Sequence, residues 1–354
     1  MRVNKFWSKQ VEALDPYIPG EQPRDQRYIK LNTNENPYAP SPAVAAVIGE
    51  FEPGQLRRYP DPQSTDLVNA LADYHGLDAS QVFVGNGSDE VLAHAFQAFF
   101  RQDYPILFPD ISYSFYPVYC ALYQIAYRQP ALDQAFCINI QDYATSNGGI
   151  IFPNPNAPTG IALRTGEIRQ LLADNAESVV IIDEAYVDFG AESCGRLIPE
   201  FPNLLVIQTF SKSRSLAGLR LGYALGQEQL IEALQRIKNS FNSYPINQLT
   251  SAIAMATLAD EDYFQQCREK VLATREHLVG ELQKLGFEVF PSTSNFLLVR
   301  HPSAAAEALY RDLKVAGILV RYFKAERLDT CLRITIGTDA ECDALVSALD
   351  KLLG

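Results

Sequence analysis

Short, wholly apolar runs recur along the chain and are separated by stretches whose apolar positions return at helical spacing. The runs are Val82-Phe83-Val84, Ile106-Leu107-Phe108, Ile150-Ile151-Phe152, Val179-Val180-Ile181-Ile182 and Leu204-Leu205-Val206-Ile207. None of them alternates apolar with polar residues, the pattern of strands covered on both faces. Between them, Leu67, Val68, Leu71 and Ala72 mark one helix face, and Leu92, Ala95, Phe96 and Phe99 mark another. Ser88 is the expected N-cap of the second helix. The alternation predicts an α/β fold: a large domain with a mainly parallel sheet flanked by helices.

The pattern changes after about Asn242. A long helical stretch from Tyr263 to Leu285 precedes short strand-like runs at Gly286–Phe290, Asn295–Val299, Ile318–Val320 and Leu332–Ile336. This predicts a smaller α+β C-terminal domain. The first forty residues are polar and proline-rich, which predicts an extended arm. The expected division is an arm over 1–40, a large domain over 41–241 and a small domain over 242–354.

Composition narrows the function. The 354 residues are 47% hydrophobic, enough for a sizeable core, and carry a formal net charge of −12 with no long basic run. Nucleic acid and anionic membrane are thereby disfavoured as main partners. An anionic substrate would need concentrated local positive charge at its site. No apolar stretch is long enough to span a bilayer, and Met1–Trp7 lacks the apolar core of a signal peptide. The six cysteines and four histidines are scattered, without metal-ligand or disulfide spacing. The expectation is a cytoplasmic protein without a metal site.

Candidate chemistry gathers at the ends of the predicted strands, where open α/β sheets tend to bind ligands. After Leu204–Ile207 comes Thr209-Phe210-Ser211-Lys212, with Arg220 following. A lysine at the end of a buried strand is a candidate nucleophile, and the hydroxyls and guanidinium around it suit a phosphate. Taken alone, the stretch reads equally well as a solvated loop. Gly85-Asn86-Gly87-Ser88-Asp89-Glu90 places a glycine turn before a helix start, a seat for phosphate or a plain connection. Asp183, closing a buried strand, has three readings: a magnesium ligand, a partner for a protonated heterocyclic nitrogen, or an acid capping a turn. Phe152-Pro153-Asn154-Pro155-Asn156-Ala157-Pro158-Thr159-Gly160 is a rigid loop that either holds an asparagine against a ligand or only turns the chain. The chain contains no GxxxxGK[ST], GxSxG or HExxH, which disfavours P-loop nucleotidases, serine hydrolases of that class and zinc proteases.

In this order, from about Tyr17 to Gly337, the motifs resemble those of the class I/II aminotransferases that use pyridoxal 5'-phosphate (PLP). The arm sequence Pro16–Pro23, the block Leu31–Pro37 and Arg58-Tyr59-Pro60-Asp61 are similar to the histidinol-phosphate branch of that family. The resemblance implies that Lys212 carries PLP as a Schiff base, that Asp183 pairs with the ring nitrogen, and that Tyr186 bonds the ring hydroxyl. Tyr113 would stack on the ring. The phosphate would be held by Ser88, Asp89, Thr209, Ser211 and Arg220, with Tyr59 reaching in from the neighbouring subunit of a homodimer. Arg333 would fork a substrate carboxylate, Arg321 would help with a substrate phosphate, and Tyr17 would lie on the substrate side. The implied reaction takes an amino donor, histidinol phosphate, and a 2-oxo acid acceptor, 2-oxoglutarate, through ping-pong kinetics. Its rivals are an aromatic amino-acid aminotransferase and a threonine-phosphate decarboxylase. One departure stands out: the family commonly has asparagine directly before Pro-Thr-Gly, and here that place is Ala157, preceded by Asn156. Either Asn156 reaches the ring hydroxyl by a different path or Tyr186 holds it alone. Arg214, after the lysine, reads as a solvated side chain.

Overall fold

Seven strands form the central sheet, ordered Val82–Gly85, Gly222–Gly226, Leu204–Thr209, Val180–Asp183, Ile150–Pro153, Ile106–Leu107 and Tyr127–Arg128. The computed structural model describes residues 5–23, 25–100 and 102–354. All neighbouring strands are parallel except Gly222–Gly226, which runs antiparallel to both its partners. The apolar runs show no sign of this strand, because its two glycines read as a turn. Gly222 is required there by close approach: a Cβ at this position would stand 2.3 Å from the Ser88 amide nitrogen.

Successive side chains of the strands enter opposite cores, which explains the unalternating runs. On one face Val84, Phe152, Val180, Ile182 and Val206 pack with Leu67, Leu71, Ile168, Leu172 and Ile253. On the other, Phe83, Ile151, Ile181, Leu205 and Ile207 pack with Val91, Phe96, Tyr116, Leu230 and Leu234. The sheet is thus covered by Thr65–His75, Thr165–Asp174 and Gln248–Ala259 on one side, and by Gly87–Phe99, Tyr116–Tyr123 and Glu228–Phe241 on the other. The helix start after Val82–Gly85 differs from the expected cap. Asn86 is the N-cap residue and its side chain makes no capping hydrogen bond, so Ser88 lies within the first turn.

Beyond the helix Gln248–Ala259, which rests on Pro42–Glu50 and Thr65–His75, the long helix Glu261–Lys284 leads into a second sheet. Its four antiparallel strands are ordered Arg321–Tyr322, Cys331–Thr335, Phe296–Arg300 and Glu288–Val289. The arm is not wholly irregular: Lys9–Ala13 is one helical turn capped by Ser8, and Ile29–Lys30 pairs in parallel with Ile318–Leu319. Leu31 O then accepts from Thr335 N at 2.9 Å, which draws the following residues, Asn32 to Glu35, between the two sheets. Among the described residues no helix is long and apolar enough to cross a membrane, and no cluster of His, Cys, Asp and Glu is arranged to hold a metal.

Candidate active site

The parallel strands end in register, with Pro153 opposite Asp183 and Asp183 opposite Ile207. Their following loops wall a cavity of about 290 Å³ between the central sheet and the four-stranded sheet. Of the residues singled out from the sequence, Tyr17, Ser88, Asp89, Tyr113, Asp183, Tyr186, Thr209, Ser211, Lys212, Arg220, Arg321 and Arg333 line this one cavity. Asn156 and Tyr59 do not.

At the cavity floor, Asp183 is 4% exposed. Its Oδ2 accepts from the Tyr116 hydroxyl at 3.1 Å and its Oδ1 from Ala185 N at 3.2 Å. No ion pair to it is formed among the described residues. Burial pushes its pKa up to about 6, against the pull of those two hydrogen bonds. Lys212 is half-buried, with Nζ 3.4 Å from Thr33 O and 5.6 Å from the centre of the Tyr186 ring.

One end of the cavity is built for an anion. The helix Gly87–Phe99 begins here with no side-chain cap, and the Asn86 amide is already taken by Glu90 Oε2 at 2.6 Å. Beside it, Thr209 Oγ1 and Ser211 Oγ are 3.0 Å apart. Arg220, in the left-handed region at φ 57°, turns its Nη2 to Asp89 Oδ2 at 2.9 Å. Gly87 stands at φ 80°, a backbone conformation that side chains other than glycine's rarely adopt, and a Cβ there would lie 2.6 Å from Arg220 Nη2. Asp89 also accepts from the Tyr113 hydroxyl at 3.0 Å, fixing that ring at the cavity wall.

The opposite end is aromatic and cationic. Tyr17 packs on Phe115 with ring centres 4.8 Å apart and lies 6.5 Å from Tyr113. The Arg333 guanidinium lies 5.2 Å from the Phe296 ring and 5.5 Å from Phe323. It donates Nη2 to Asn32 O at 2.9 Å, while its buried Nε has no partner. Desolvation lowers its pKa to about 10, so it remains a cation at neutral pH. Arg321 lies beside Phe323 at 5.2 Å. These arginines, with Arg220, supply the local positive charge that the acidic chain needs for an anionic substrate.

Asn156 is buried behind the wall, donating Nδ2 to Ile111 O at 3.0 Å and to Thr159 Oγ1 at 3.1 Å, while Ala157 and Pro158 face the cavity. Tyr59 is 80% exposed and stacks on Tyr244 at 4.7 Å. Arg214 is a correction to the sequence reading. It is 7% exposed and bonds Thr257 O, Tyr74 and Glu261, because the chain turns inward directly after Lys212. Sequence reasoning also passed over Tyr116 and Asn34. Tyr116 lies outside every run and motif singled out from the sequence, and Asn34 is one polar residue among several in Leu31–Pro37.

A family model described as aminotransferase class I and II matches residues 26–349. The chain belongs to that family. Among aminotransferases, the histidinol-phosphate aminotransferase of Chromohalobacter salexigens is 58% identical over 350 residues, 99% of each chain. Histidinol-phosphate aminotransferase 1 of Pseudomonas aeruginosa is 55% identical over 351 residues, covering 99% of this chain and all of its own. In fold, the chain is similar to the solved histidinol-phosphate aminotransferase of Sinorhizobium meliloti in complex with pyridoxal-5'-phosphate, with a TM-score of 0.89 at 22% identity over 99% of this chain and 98% of that one.

Proposed function

We propose that this aminotransferase uses PLP to interconvert histidinol phosphate and 2-oxoglutarate with imidazole-acetol phosphate and glutamate, a step of histidine biosynthesis. One observation carries the reading. A single cavity joins a lysine amine and a buried carboxylate to two arginines on the far side, in a chain 58% identical along its length to a histidinol-phosphate aminotransferase.

PLP fits the residues present. Asp183 is a buried carboxylate with no cationic partner among the described residues, complementary to a protonated ring nitrogen. The uncapped helix start at Ser88 and Asp89, the hydroxyls of Thr209 and Ser211, and Arg220 form a donor set for a phosphate. Lys212 would supply the amine that holds the aldehyde carbon, Tyr186 would bond the ring hydroxyl, and Tyr113 would cover the ring. Asn156 is assigned to the support of this wall through Ile111 and Thr159.

When bound, PLP supplies a ring that accepts the electrons of the breaking Cα–H bond. The remaining work falls to the chain. Lys212 Nζ would take the proton from the donor's Cα as a general base and, in the return half-reaction, would give a proton to the Cα of the amino acid formed from the 2-oxo acid, which requires that the amine stay in the cavity. Arg333 and Arg321 hold the anionic group of donor or acceptor and thereby set Cα over Lys212. Tyr17, packed on Phe115, lines the cavity together with Arg321 and Arg333.

The proposal extends to the assembly. The chain acts as a homodimer in the cytoplasm, with Tyr59 completing the phosphate seat of the neighbouring subunit. An arm, a cofactor-holding domain and a smaller C-terminal domain divide the chain; the four-stranded sheet and its helices support the last of these, but Ile246, Ile253 and Ala254 pack in the core of the central sheet, which favours a start after Gln248–Ala259 and not at 242.

The deciding experiment is rapid mixing of PLP-loaded protein with histidinol phosphate, phenylalanine, tyrosine and O-phosphothreonine, followed by absorbance. Fast conversion by histidinol phosphate, restored by 2-oxoglutarate, is expected. Preference for phenylalanine and tyrosine would shift the assignment to aromatic transamination, and release of carbon dioxide from O-phosphothreonine would replace it with decarboxylation.

A further inference from the structure

Asn34 is 1% exposed and stands in the left-handed region at φ 56°, a conformation that asparagine tolerates better than most residues. Three hydrogen bonds hold it. Its amide N–H donates to Thr335 Oγ1 at 3.0 Å, its carbonyl accepts from Asn295 Nδ2 at 3.0 Å, and its side-chain Oδ1 accepts from Thr335 Oγ1 at 3.0 Å. Its remaining group, Nδ2, lies 3.0 Å from the Tyr186 hydroxyl.

This network fixes which end of the amide faces Tyr186. The Thr335 hydroxyl has one hydrogen and is 2% exposed. It already accepts from the Asn34 backbone, so its hydrogen goes to Asn34 Oδ1. Turning the amide over would leave that hydrogen buried with no acceptor among the described residues, an arrangement folded proteins avoid. Asn34 therefore presents an N–H to Tyr186 and fills an acceptor site on its oxygen. The Tyr186 hydrogen is then forced to point elsewhere. Both Asn34 and Tyr186 line the cavity, so the free direction is inward.

We propose that Asn34 is a positioning residue that aims the Tyr186 hydroxyl hydrogen at the ring oxygen of bound PLP, with Thr335 setting the direction of its amide. The inference rests on the reading of Tyr186 as the partner of that oxygen. It assigns an orienting amide to a chain that has Ala157, not asparagine, before Pro158. It also ties the cofactor side of the site to the strand Cys331–Thr335, which carries Arg333.

The test is a pH titration of the absorbance of PLP-loaded protein, a readout independent of turnover. A hydrogen bond donated to the ring oxygen stabilises its anionic form, so losing it raises the pH midpoint of the bound chromophore. Tyr186→Phe is expected to raise the midpoint by about half a unit to one unit. Asn34→Asp turns the donor into an acceptor that draws the Tyr186 hydrogen away, and is expected to raise the midpoint by a similar amount. In the Tyr186→Phe background, Asn34→Asp should add little. Thr335→Val, which introduces no charge and frees the amide to turn, should shift the midpoint in the same direction by less; it serves where the aspartate variant does not fold. A merely structural Asn34 would lower the melting temperature and leave the midpoint in place. A shift in Tyr186→Phe without one in Asn34→Asp and Thr335→Val overturns the inference alone, as does an Asn34→Asp shift that persists in full without the Tyr186 hydroxyl. No shift in Tyr186→Phe overturns the inference together with the reading of Tyr186 beneath it.

Discussion

Tyr116 donates its hydroxyl to Asp183 Oδ2 across 3.1 Å, with both side chains buried beneath the cavity. The bond favours the ionised carboxylate and so opposes the burial that raises its pKa. Tyr116→Phe keeps the ring and removes the bond. The carboxylate is then protonated over a wider pH range and holds a cationic ring nitrogen less well. PLP affinity of the cofactor-free protein should fall about three- to tenfold, equivalent to about 1 kcal/mol, as measured by equilibrium titration at pH 7. Unchanged affinity would remove Tyr116 from this role.

Asp183 also makes the cofactor-free protein sensitive to pH. Its pKa rises from 3.8 to about 6 on folding because the carboxylate is buried. The folded chain therefore binds this proton more tightly than the unfolded chain. That contribution to stability is fully present below pH 3.8 and is lost as the pH rises through about 6. At pH 8 the buried charge costs about 1–3 kcal/mol. Asp183→Asn should stabilise the cofactor-free protein by about that amount in urea melts at pH 8, with a smaller gain at pH 5. In the PLP-loaded enzyme the same change should lower activity on the order of 100-fold or more, since a fixed charge opposite the ring is lost. A gain over the parent that is the same at both pH values would sink the assignment of Asp183 as the penalised group.

Lys212 lies near both Thr33 O and the Tyr186 ring. Borohydride treatment of the PLP-loaded protein should attach the cofactor irreversibly to Lys212, detectable as a modified peptide. Lys212→Ala should show no such peptide and should lose its general base along with the attachment, so transamination should fall by at least about 100- to 10,000-fold. Efficient turnover by the alanine variant would refute the role given to Lys212.

Arg333 offers a fork: Nη2 is held by Asn32 O, and Nε is buried without a partner. A planar guanidinium bonds a carboxylate through two parallel N–H groups, which a lysine cannot match. Arg333→Lys keeps the charge and should lower kcat/KM for 2-oxoglutarate by about 10- to 100-fold, or about 1.4–2.8 kcal/mol. Steady-state kinetics with varied acceptor measure this directly. A lysine variant with the parent's kcat/KM would show that charge alone suffices.

How far the site could be read from the sequence depended on where each residue lies relative to a strand. Asp183, Thr209, Ser211 and Lys212 end or follow runs of apolar residues, so local pattern alone puts them at the mouth of an α/β sheet. Gly222–Gly226 escaped because the glycines needed for close passage beneath Ser88 are also the usual mark of a turn. Tyr116 and Asn34 act through partners 67 and 152 positions away, Asp183 and Tyr186. No local periodicity reports a bond of that kind. Ser88 reads as the cap although the cap, Asn86, lies two residues before it, since a serine after a glycine turn resembles a cap whether or not its side chain turns back to the helix. Arg214 shows the same limit for charge: an arginine in a polar run reads as solvated until the packing around it is known.

Arg214 supports the last prediction. Its guanidinium lies 3.7 Å from the Phe264 ring centre and donates to Thr257 O at 3.0 Å, the Tyr74 hydroxyl at 2.9 Å and Glu261 Oε2 at 3.0 Å. One side chain therefore ties the loop after Lys212 to three helices: Thr65–His75, Gln248–Ala259 and Glu261–Lys284. Removing it leaves Thr257 O without this donor and Glu261 without its cation. Glu261 is 40% exposed at its side chain, so water recovers part of that loss. Arg214→Met fills the volume without the bonds and should destabilise the protein by about 2–4 kcal/mol in urea melts. Arg214→Lys, which keeps the charge but cannot serve three acceptors in one plane, should fall between. The guanidinium points away from the cavity, so kcat/KM of the folded variants should change by less than about tenfold, or ~1.4 kcal/mol. A methionine variant as stable as the parent would show that packing against Phe264, and not the hydrogen bonds, is what Arg214 contributes.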